Sequence, residues 1–423
     1  MTQRARPSGG PMTRRSVLRL LGAPPLVAAG AAALPQPAGA SASSEGGPAS
    51  APPPALRPGG AFDRYLSGLA AQDQFSGTVL LAWQGKPTLV RGFQDADKAN
   101  HIPNRADTIF TLASVTKLLT GVAVAQLAAE GKVDFSATLG TYLNGFPADI
   151  ANTVTVHNLM THTSGFPGSE QAPSGNWATR DEAFEGTLAS LRQQQLVAAP
   201  GTTYAYSNAN YFLAGAIVAS ASGQAYWDYM PRRVFGPAGM TSTAFYADQQ
   251  WLSDPRFAHV YGPPLTGGQR QDLTPEAAPG TPNGWDGSGG AFSTVLDLLN
   301  FANALADGTL LPPPWAEWRA GGRYPVSPAS NDPDAPSTSR SFMIGYGSDE
   351  RITSQGQRAY GHSGGLLLRA SGSTQPGGGT TALTIYPDLG AVAVILSNYS
   401  LNAIGGISAV LAEQDSIVTQ QGS

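Results

Sequence analysis

The sequence contains no cysteine, which excludes disulfide bonds, thiolate metal sites, cysteine nucleophiles and a lipid anchor on cysteine. Basic residues are also scarce, because 25 Lys and Arg stand against 29 Asp and Glu, for a net charge of −4. No run of like charge occurs, so we expect no nucleic-acid partner. Only four lysines are present, at Lys86, Lys98, Lys117 and Lys132.

The first forty residues are predicted to be a targeting segment. Thr13–Arg19 carries the paired arginines of a twin-arginine signal, and Ala38–Ala40 forms a small-residue cleavage site. The apolar run over residues 20–34 is too short and too rich in proline for a membrane helix. We therefore expect export by the twin-arginine route to the periplasm or the extracellular space, with no transmembrane segment in the mature protein. Residues 41–60 are predicted to be a disordered linker.

Residues 61–415 are predicted to form one globular domain, followed by a tail over residues 416–423. Strand patterns occur near both ends, with a region over residues 135–330 of short helices between Gly- and Pro-rich loops. We expect an α/β fold in which both chain ends build one sheet and this mostly helical region is inserted. The expected helices are Ala61–Ala71, Val115–Glu130, Val156–Thr161, Asn210–Ser222, Val295–Ala306 and Ile404–Glu413. The expected strands are Gly77–Trp83, Thr88–Phe93, a segment from Ala359 onward, Thr381–Tyr386 and Ala391–Leu396, with strands returning only after Tyr346.

Ser114 and Lys117 form a Ser-x-x-Lys pattern at the start of an apolar helix. Residues three apart share a helix face, so the hydroxyl and the amine are expected to lie side by side. A serine nucleophile with a lysine base needs this arrangement. Ser114 could instead be only a helix N-cap, but a cation in the first turn is unfavourable by about 0.3–1 kcal/mol.

Tyr206 and Asn208 offer a phenol and a carboxamide to such a pair. A lysine base must be neutral, and lowering its pKa from about 10.4 to near neutrality requires about three units. A second titratable group that relays the proton would help. The alternatives are that Tyr206 packs on the core and that Asn208 caps a helix beginning at Asn210.

Gly361–Gly365 has the G-x-S-x-G pattern of a nucleophile elbow, with Ser363 as the nucleophile. That assignment needs a histidine later in the chain, and none follows His362. The remaining interpretation is an edge strand whose glycines let a substrate approach the backbone and its N–H groups. His157 and His162 match no metal-binding pattern, so we expect no metal site and no cofactor.

Ser114–Lys117, Tyr206–Asn208 and His362–Gly364, taken in this order and spacing, resemble the serine β-lactamase / D-Ala-D-Ala carboxypeptidase superfamily, in particular the class C β-lactamases with their related carboxypeptidases and esterases. The resemblance covers roughly residues 61–415. It implies a β-lactamase/transpeptidase-like fold, with an antiparallel sheet flanked by helices. The site would lie between this part and the helical region.

The resemblance also implies roles for the site residues. Ser114 would attack a carbonyl, while Lys117 and Tyr206 exchange the proton. Asn208 would hydrogen-bond the substrate, as would the strand His362, Ser363, Gly364. The backbone N–H groups of Ser114 and Gly365 would form the oxyanion hole.

Two departures from the family pattern bear on the substrate. His362-Ser-Gly364 stands where class A and class C β-lactamases usually carry Lys-Thr-Gly, which weakens the case for an efficient β-lactamase. Leu366–Gln375 is predicted to be an insertion beside the oxyanion strand, from which Arg369 could reach the substrate.

The expected substrate is a small molecule or a peptide: a D-Ala-D-Ala-type peptide, a β-lactam or a small ester. The alternative function is a penicillin-binding sensor or scaffold that is acylated without turnover. The sequence sets no oligomeric state.

Overall fold

A computed structural model describes residues 51–168, 177–265, 267–278, 286–326, 336, 338–369 and 375–420. The predicted signal segment over residues 1–40, the first half of the predicted linker and the last three residues of the tail lie outside these ranges.

The helices of these ranges follow the sequence pattern closely at several places. The predicted bounds of two helices, Ala61–Ala71 and Val295–Ala306, are those of the structure. The described ranges contain twelve α-helices: α1 (Ala61–Ala71), α2 (Thr116–Ala129), α3 (Ala148–Ala151), α4 (Val156–Met160), α5 (Arg180–Leu191), α6 (Asn208–Ser222), α7 (Tyr226–Met230), α8 (Asp248–Ser253), α9 (Thr274–Ala277), α10 (Val295–Ala306), α11 (Pro313–Ala320) and α12 (Gly406–Thr419).

The strands lie mainly at the two ends of the chain. They are β1 (Gly77–Trp83), β2 (Lys86–Phe93), β3 (Asp95–Asp97), β4 (Ile102–Pro103), β5 (Phe110–Thr111), β6 (Tyr261–Pro264), β7 (Arg270–Asp272), β8 (Phe292–Ser293), β9 (Tyr324–Val326), β10 (Ser341–Ile344), β11 (Asp349–Ile352), β12 (Arg358–Arg369), β13 (Pro376–Tyr386) and β14 (Ala391–Ser397).

The main sheet is antiparallel and unites both chain ends, as predicted. Its strand order is β2-β1-β14-β13-β12-β11-β10-β9, with β6 and β7 attached beside β13. β1 pairs with β14 from Gly77 opposite Ser397 to Trp83 opposite Ala391. The apolar run of β1 is almost wholly buried, which fits its place between two neighbouring strands.

Helices cover both faces of this sheet. Alternate residues of β1 point to opposite faces, so Leu80 belongs to the buried cluster that includes α2, α6 and α10, whereas Leu81 belongs to the cluster that includes α1 and α12. α2 is apolar on nearly all sides and is buried almost throughout. The α/β fold with an antiparallel sheet flanked by helices is therefore confirmed.

Three predicted boundaries are wrong. The linker ends before residue 60, because Pro54–Leu56 forms a 3-10 turn whose Leu56 packs in the core beside α1. Strands return at Tyr261 rather than after Tyr346, because β6, β7, β8 and β9 are strands of only two to four residues with little periodic signal. The last helix extends to Thr419, since Val418 is buried against the sheet, so most of the described tail is helical.

None of the helices in the described ranges has the length and the apolar character required to span a membrane.

Candidate active site

Ser114 lies in a 3-10 turn, Ala113–Val115, between β5 and the first residue of α2. The turn is anchored because β5 pairs with β8. Ala113 has a positive φ of 45°, a left-handed conformation that costs a non-glycine residue about 1–3 kcal/mol and is typical of functional sites. The N-cap position of α2 is occupied by Val115, so Ser114 is not the N-cap of this helix.

Lys117 is fully buried on the first turn of α2, and its ammonium group reaches three oxygen atoms. Nζ donates to Ser114 Oγ at 2.8 Å, to Asn208 Oδ1 at 2.7 Å and to the carbonyl oxygen of Ser288 at 2.7 Å. Three donors thus have three partners, and this holds the nitrogen against the serine hydroxyl.

Tyr206 reaches the same hydroxyl from the loop before α6. Its OH donates to Ser114 Oγ at 2.8 Å, and its ring centroid lies 5.0 Å from Lys117 Nζ. An amine and a phenol therefore converge on one hydroxyl oxygen. Two groups capable of exchanging a proton next to a hydroxyl are what nucleophilic catalysis by serine requires.

Asn208 is the first residue of α6, not the cap of a later helix. The structure begins α6 two residues earlier than the predicted start at Asn210, with Ser207 at the N-cap position. Asn208 lies in the first turn of α6, and its carboxamide oxygen accepts from Lys117.

His162 is a site residue that the sequence pattern did not reveal. It is buried at a φ of 54°, and its ring stacks on Tyr206 with centroids 4.4 Å apart and planes 26° apart. Nδ1 accepts from Ser207 N–H at 3.2 Å and from Asn210 Nδ2 at 3.1 Å. Burial, followed by the nearby charge of Lys117, lowers its pKa well below 6.5, so the ring is a neutral acceptor.

His362 lies on β12 beside these groups, and its side chain is buried. Its Nδ1 contacts the carbonyl oxygen of Ser363. A carbonyl oxygen only accepts, so Nδ1 carries the proton and Nε2 is left as an acceptor. Burial, and secondarily the charge of Lys117, lowers the pKa of His362 to about 3, so the ring is uncharged at neutral pH.

Gly364 brings β12 against the serine turn. A Cβ at this position would lie 2.4 Å from the Leu112 carbonyl oxygen and 2.9 Å from Ser114 N. No side chain fits there, so glycine permits the close approach. The next residue, Gly365, is exposed, and the nearest atom to a Cβ at this position would be Leu367 Cγ at 4.0 Å.

Ser363 does not bring its hydroxyl to Ser114. Side chains alternate along a strand, and Ser363 points to the opposite face from His362. Its Oγ is buried without a hydrogen-bond partner, and Ser363 lines a small cavity of about 10 Å³ with Arg351 and Leu411. Only its backbone stays close to the other predicted site residues.

The predicted insertion over Leu366–Gln375 begins as a regular strand. Leu366–Arg369 continues β12 and pairs with β13 as far as Arg369 opposite Pro376. Arg369 follows Leu367 on the solvent-exposed side of this strand. Residues 370–374 lie outside the described ranges.

The segment Asp286–Ser288 also contributes to the site, although the sequence did not predict it. The Ser288 carbonyl accepts from Lys117, and Asp286 Oδ1 accepts from Ser288 N–H at 2.6 Å. A lone buried acid in a Gly-rich loop carries no periodic or motif signal, so the sequence gives no sign of this contact.

The two histidines considered for a metal have separate protein partners. His157 Nδ1 bonds to Tyr346 OH at 2.8 Å, whereas His162 Nδ1 bonds to Ser207 and Asn210. In the part of the chain that the structure describes, no three His, Asp or Glu side chains gather as a metal ion would need.

The chain is similar in sequence to several known proteins. The chain is 31% identical over 251 residues to PbpX of Bacillus subtilis (strain 168), described provisionally as a penicillin-binding protein; the match covers 59% of each chain. It is 28% identical over 191 residues to the D-alanyl-D-alanine-carboxypeptidase/endopeptidase AmpH of Escherichia coli (strain K12), covering 43% of this chain and 49% of that one. The chain thus spans about half to three-fifths of the length of these relatives.

A solved structure and a family model agree with these matches. The octameric penicillin-binding protein homologue from Pyrococcus abyssi superimposes with a TM-score of 0.68 at 22% identity, covering 82% of this chain and 76% of that one. This likeness supports the fold alone. The sequence model described as Beta-lactamase matches residues 62–406, which is most of the chain. The chain therefore belongs to the beta-lactamase family.

Proposed function

We propose that the chain is an exported serine hydrolase that works through a covalent acyl-enzyme on Ser114. The observation that carries this proposal is the convergence of Lys117 Nζ and Tyr206 OH on Ser114 Oγ, each at 2.8 Å. Membership in the beta-lactamase family supports the same reaction class.

In the proposed reaction, Ser114 Oγ bonds to the substrate carbonyl carbon while its proton passes to Lys117 and Tyr206. The pair then delivers that proton to the leaving group as the scissile bond breaks. A water molecule, deprotonated by the same pair, attacks the acyl-enzyme, and Ser114 recovers its proton. Because the two groups share the proton, the titration belongs to the pair rather than to either residue.

The developing oxyanion is proposed to bind the backbone N–H groups of Ser114 and Gly365. The tight contact of Gly364 with the Ser114 backbone supports this role, because it sets the adjoining peptide of β12 beside the serine turn. Each oxyanion donor typically contributes about 3 kcal/mol to the transition state. Asn208 and the His362–Gly364 strand are proposed to contact the substrate.

His362 bears on the substrate class. An uncharged ring offers no ammonium group to a substrate carboxylate, unlike the lysine that β-lactamases of the resembled classes usually carry there. We therefore propose that small esters, which carry no carboxylate, are hydrolysed more efficiently than β-lactams, and the family resemblance favours a carboxypeptidase or esterase over an efficient β-lactamase. The name of AmpH, a carboxypeptidase/endopeptidase, supports the peptide as one candidate.

The test is a time course with a chromogenic p-nitrophenyl ester, a cephalosporin and a D-Ala-D-Ala peptide. Sustained turnover of one substrate by the wild type, lost in Ser114→Ala, supports the enzyme. A stoichiometric burst followed by no steady state identifies the alternative, a penicillin-binding sensor that is acylated without turnover. Full activity in Ser114→Ala contradicts both.

The role of His362 is tested separately with His362→Lys. Restoring a cation should raise kcat/KM for the cephalosporin relative to the uncharged ester, because only the cephalosporin carries a carboxylate. An unchanged ratio of the two kcat/KM values contradicts the proposed role of charge at this position.

Export is proposed to depend on the arginine pair of the N-terminal segment. Replacing Arg14 and Arg15 together by lysine preserves charge and should leave the protein inside the cell if the twin-arginine route is used. Cell fractionation measures this directly, and secretion of the double variant at the wild-type level contradicts the proposed route.

A further inference from the structure

Asp286 is a buried carboxylate that the reaction described above does not use. Its Oδ1 accepts the backbone N–H of Ser288 at 2.6 Å, and the carbonyl of Ser288 accepts from Lys117 Nζ at 2.7 Å. A single residue, Ser288, therefore links the acid to the proposed catalytic base. A change at Asp286 is thus transmitted to Lys117 through Ser288.

The loop that carries Asp286 is fixed on its other sides. Thr120 Oγ1, one turn after Lys117 on α2, donates to the Gly287 carbonyl at 2.8 Å and bonds to Tyr226 OH at 2.7 Å. A Cβ on Gly287 would lie 2.3 Å from the Tyr211 carbonyl oxygen, so the loop backbone packs directly on α6. The position of the carboxylate is thus set by packing on α2, α6 and α7.

Several titratable groups of the described residues surround this pair. Asp286 is faced by Lys117 from α2 and by Tyr226 from α7. Lys117 is in turn faced by Tyr206, by Tyr211 of α6 and by the neutral rings of His162 and His362. Burial raises the pKa of Asp286, while its hydrogen bonds to Ser288 and the charge of Lys117 oppose that rise.

We propose that Asp286 is a positioning residue that holds the Ser288 carbonyl against Lys117 and sets the proton affinity of the Lys117 amine. An ionised carboxylate near the amine favours the ammonium form, so the neutral base appears only at higher pH. The catalytic meaning of this coupling rests on the proposed function, but the coupling itself is a property of the fold.

The scarcity of lysine makes a direct test possible. Protein labelled with ¹³Cε-lysine should give signals from only four residues, and the signal of Lys117 is identified by its loss in Lys117→Met. Asp286→Asn keeps the oxygen acceptor for Ser288 N–H and removes the negative charge. The Lys117 signal should then titrate at a lower pH than in the wild type, by on the order of one pH unit.

Thr120→Val is the matched control, because it loosens the same loop without changing its charge. The Lys117 titration should stay at the wild-type midpoint in this variant. A second neutral variant, Asp286→Ser, should reproduce the shift of Asp286→Asn, so the conclusion does not depend on the folding of one variant.

An unchanged Lys117 midpoint in a folded Asp286→Asn or Asp286→Ser protein overturns the proposal, as does an equal shift in Thr120→Val. The titration requires no turnover, so it is separate from the proposed function. If Ser114 were not acylated, the shift of the Lys117 titration in Asp286→Asn would still be expected. If that shift were absent, the loss of turnover in Ser114→Ala would still be expected. If both proposals are correct, the acidic limb of the pH profile of kcat/KM should move to lower pH in Asp286→Asn, together with the Lys117 midpoint.

Discussion

The imidazole of His162 lies nearly parallel to the phenol ring of Tyr206, with 4.4 Å between the ring centroids. The same imidazole accepts from the backbone of Ser207 and from Asn210, whose Oδ1 accepts in turn from Ser164 at 2.6 Å. The phenol that contacts Ser114 is therefore supported by a buried, hydrogen-bonded surface. We expect this support to keep its hydroxyl aimed at the serine.

His162→Phe keeps a ring beneath Tyr206 but removes the acceptor, leaving the Ser207 N–H and the Asn210 amide without a partner. Each unsatisfied buried group costs about 1–3 kcal/mol, so the free energy of unfolding should fall by about 2–4 kcal/mol in urea titrations. His101→Phe is a matched control, because His101 is exposed and has the same φ of 54°. An equal loss of unfolding free energy in both variants would show that the loss arises from the backbone conformation at positive φ instead.

Tyr206→Phe removes one hydroxyl from the site and keeps the ring that stacks on His162. We expect kcat to fall by about 10²–10⁴-fold, the usual contribution of a group that transfers a proton. The midpoint of urea unfolding should change little, because the packing is retained. Steady-state kinetics with the best ester substrate measure the effect, and wild-type kcat in this variant contradicts a proton-transfer role for Tyr206.

His362→Asn should make stability less sensitive to acid. The folded pKa of His362 is about 3 against 6.5 when exposed, so between these values only the unfolded chain binds the proton. Its contribution is complete above pH 6.5 and is lost as pH falls toward the folded pKa, by about 2–3 kcal/mol at pH 4.5. Urea unfolding of both proteins at about pH 7 and pH 4.5 should show a smaller acid loss in the variant. A parallel loss in both proteins contradicts the depressed pKa.

Gly364→Ala should disturb the serine turn, because the added Cβ would lie 2.4 Å from Leu112 O and 2.9 Å from Ser114 N. Overpacking of this kind costs about 1–3 kcal/mol of unfolding free energy, and the rate of Ser114 acylation should fall with it. Gly365→Ala is the neighbouring control for stability, since the nearest atom to its Cβ would be 4.0 Å away. We expect thermal unfolding to separate the two variants, and identical midpoints would contradict the close approach of β12.

The elements that the sequence predicted well are those with a local signal. α10 begins where Thr294 caps it, since its side chain accepts from Asp297 N–H, and the cap can be seen in the sequence. Ser114 and Lys117 are three residues apart across the junction of the 3-10 turn with α2, so their contact follows from local spacing. Their meeting with Tyr206 was expected from the family resemblance, because no local rule brings residues 92 positions apart together.

The contacts that the sequence did not predict are buried polar ones between distant segments. His162 and Asp286 are single polar residues in loops, and neither periodicity nor a motif marks them as partners of Tyr206 and Lys117. The direction of Ser363 depends on the register of β12 with β13, which pattern alone did not determine. The start of α6 was misplaced because Asn208 could serve either as a cap or as a helical residue.

The pairing of β1 with β14 has a consequence for the order in which the chain can fold. Ser397 Oγ donates to the carbonyl of Ser76, although the two residues are 321 positions apart in the sequence. During synthesis, β1 therefore emerges from the ribosome long before β14 has been made. Until then, the edge of β1 that pairs with β14 stays unpaired. Contacts this distant slow folding, and exposed edges favour aggregation. Nascent chains that stop before residue 391 should thus depend on chaperones far more than the finished protein does.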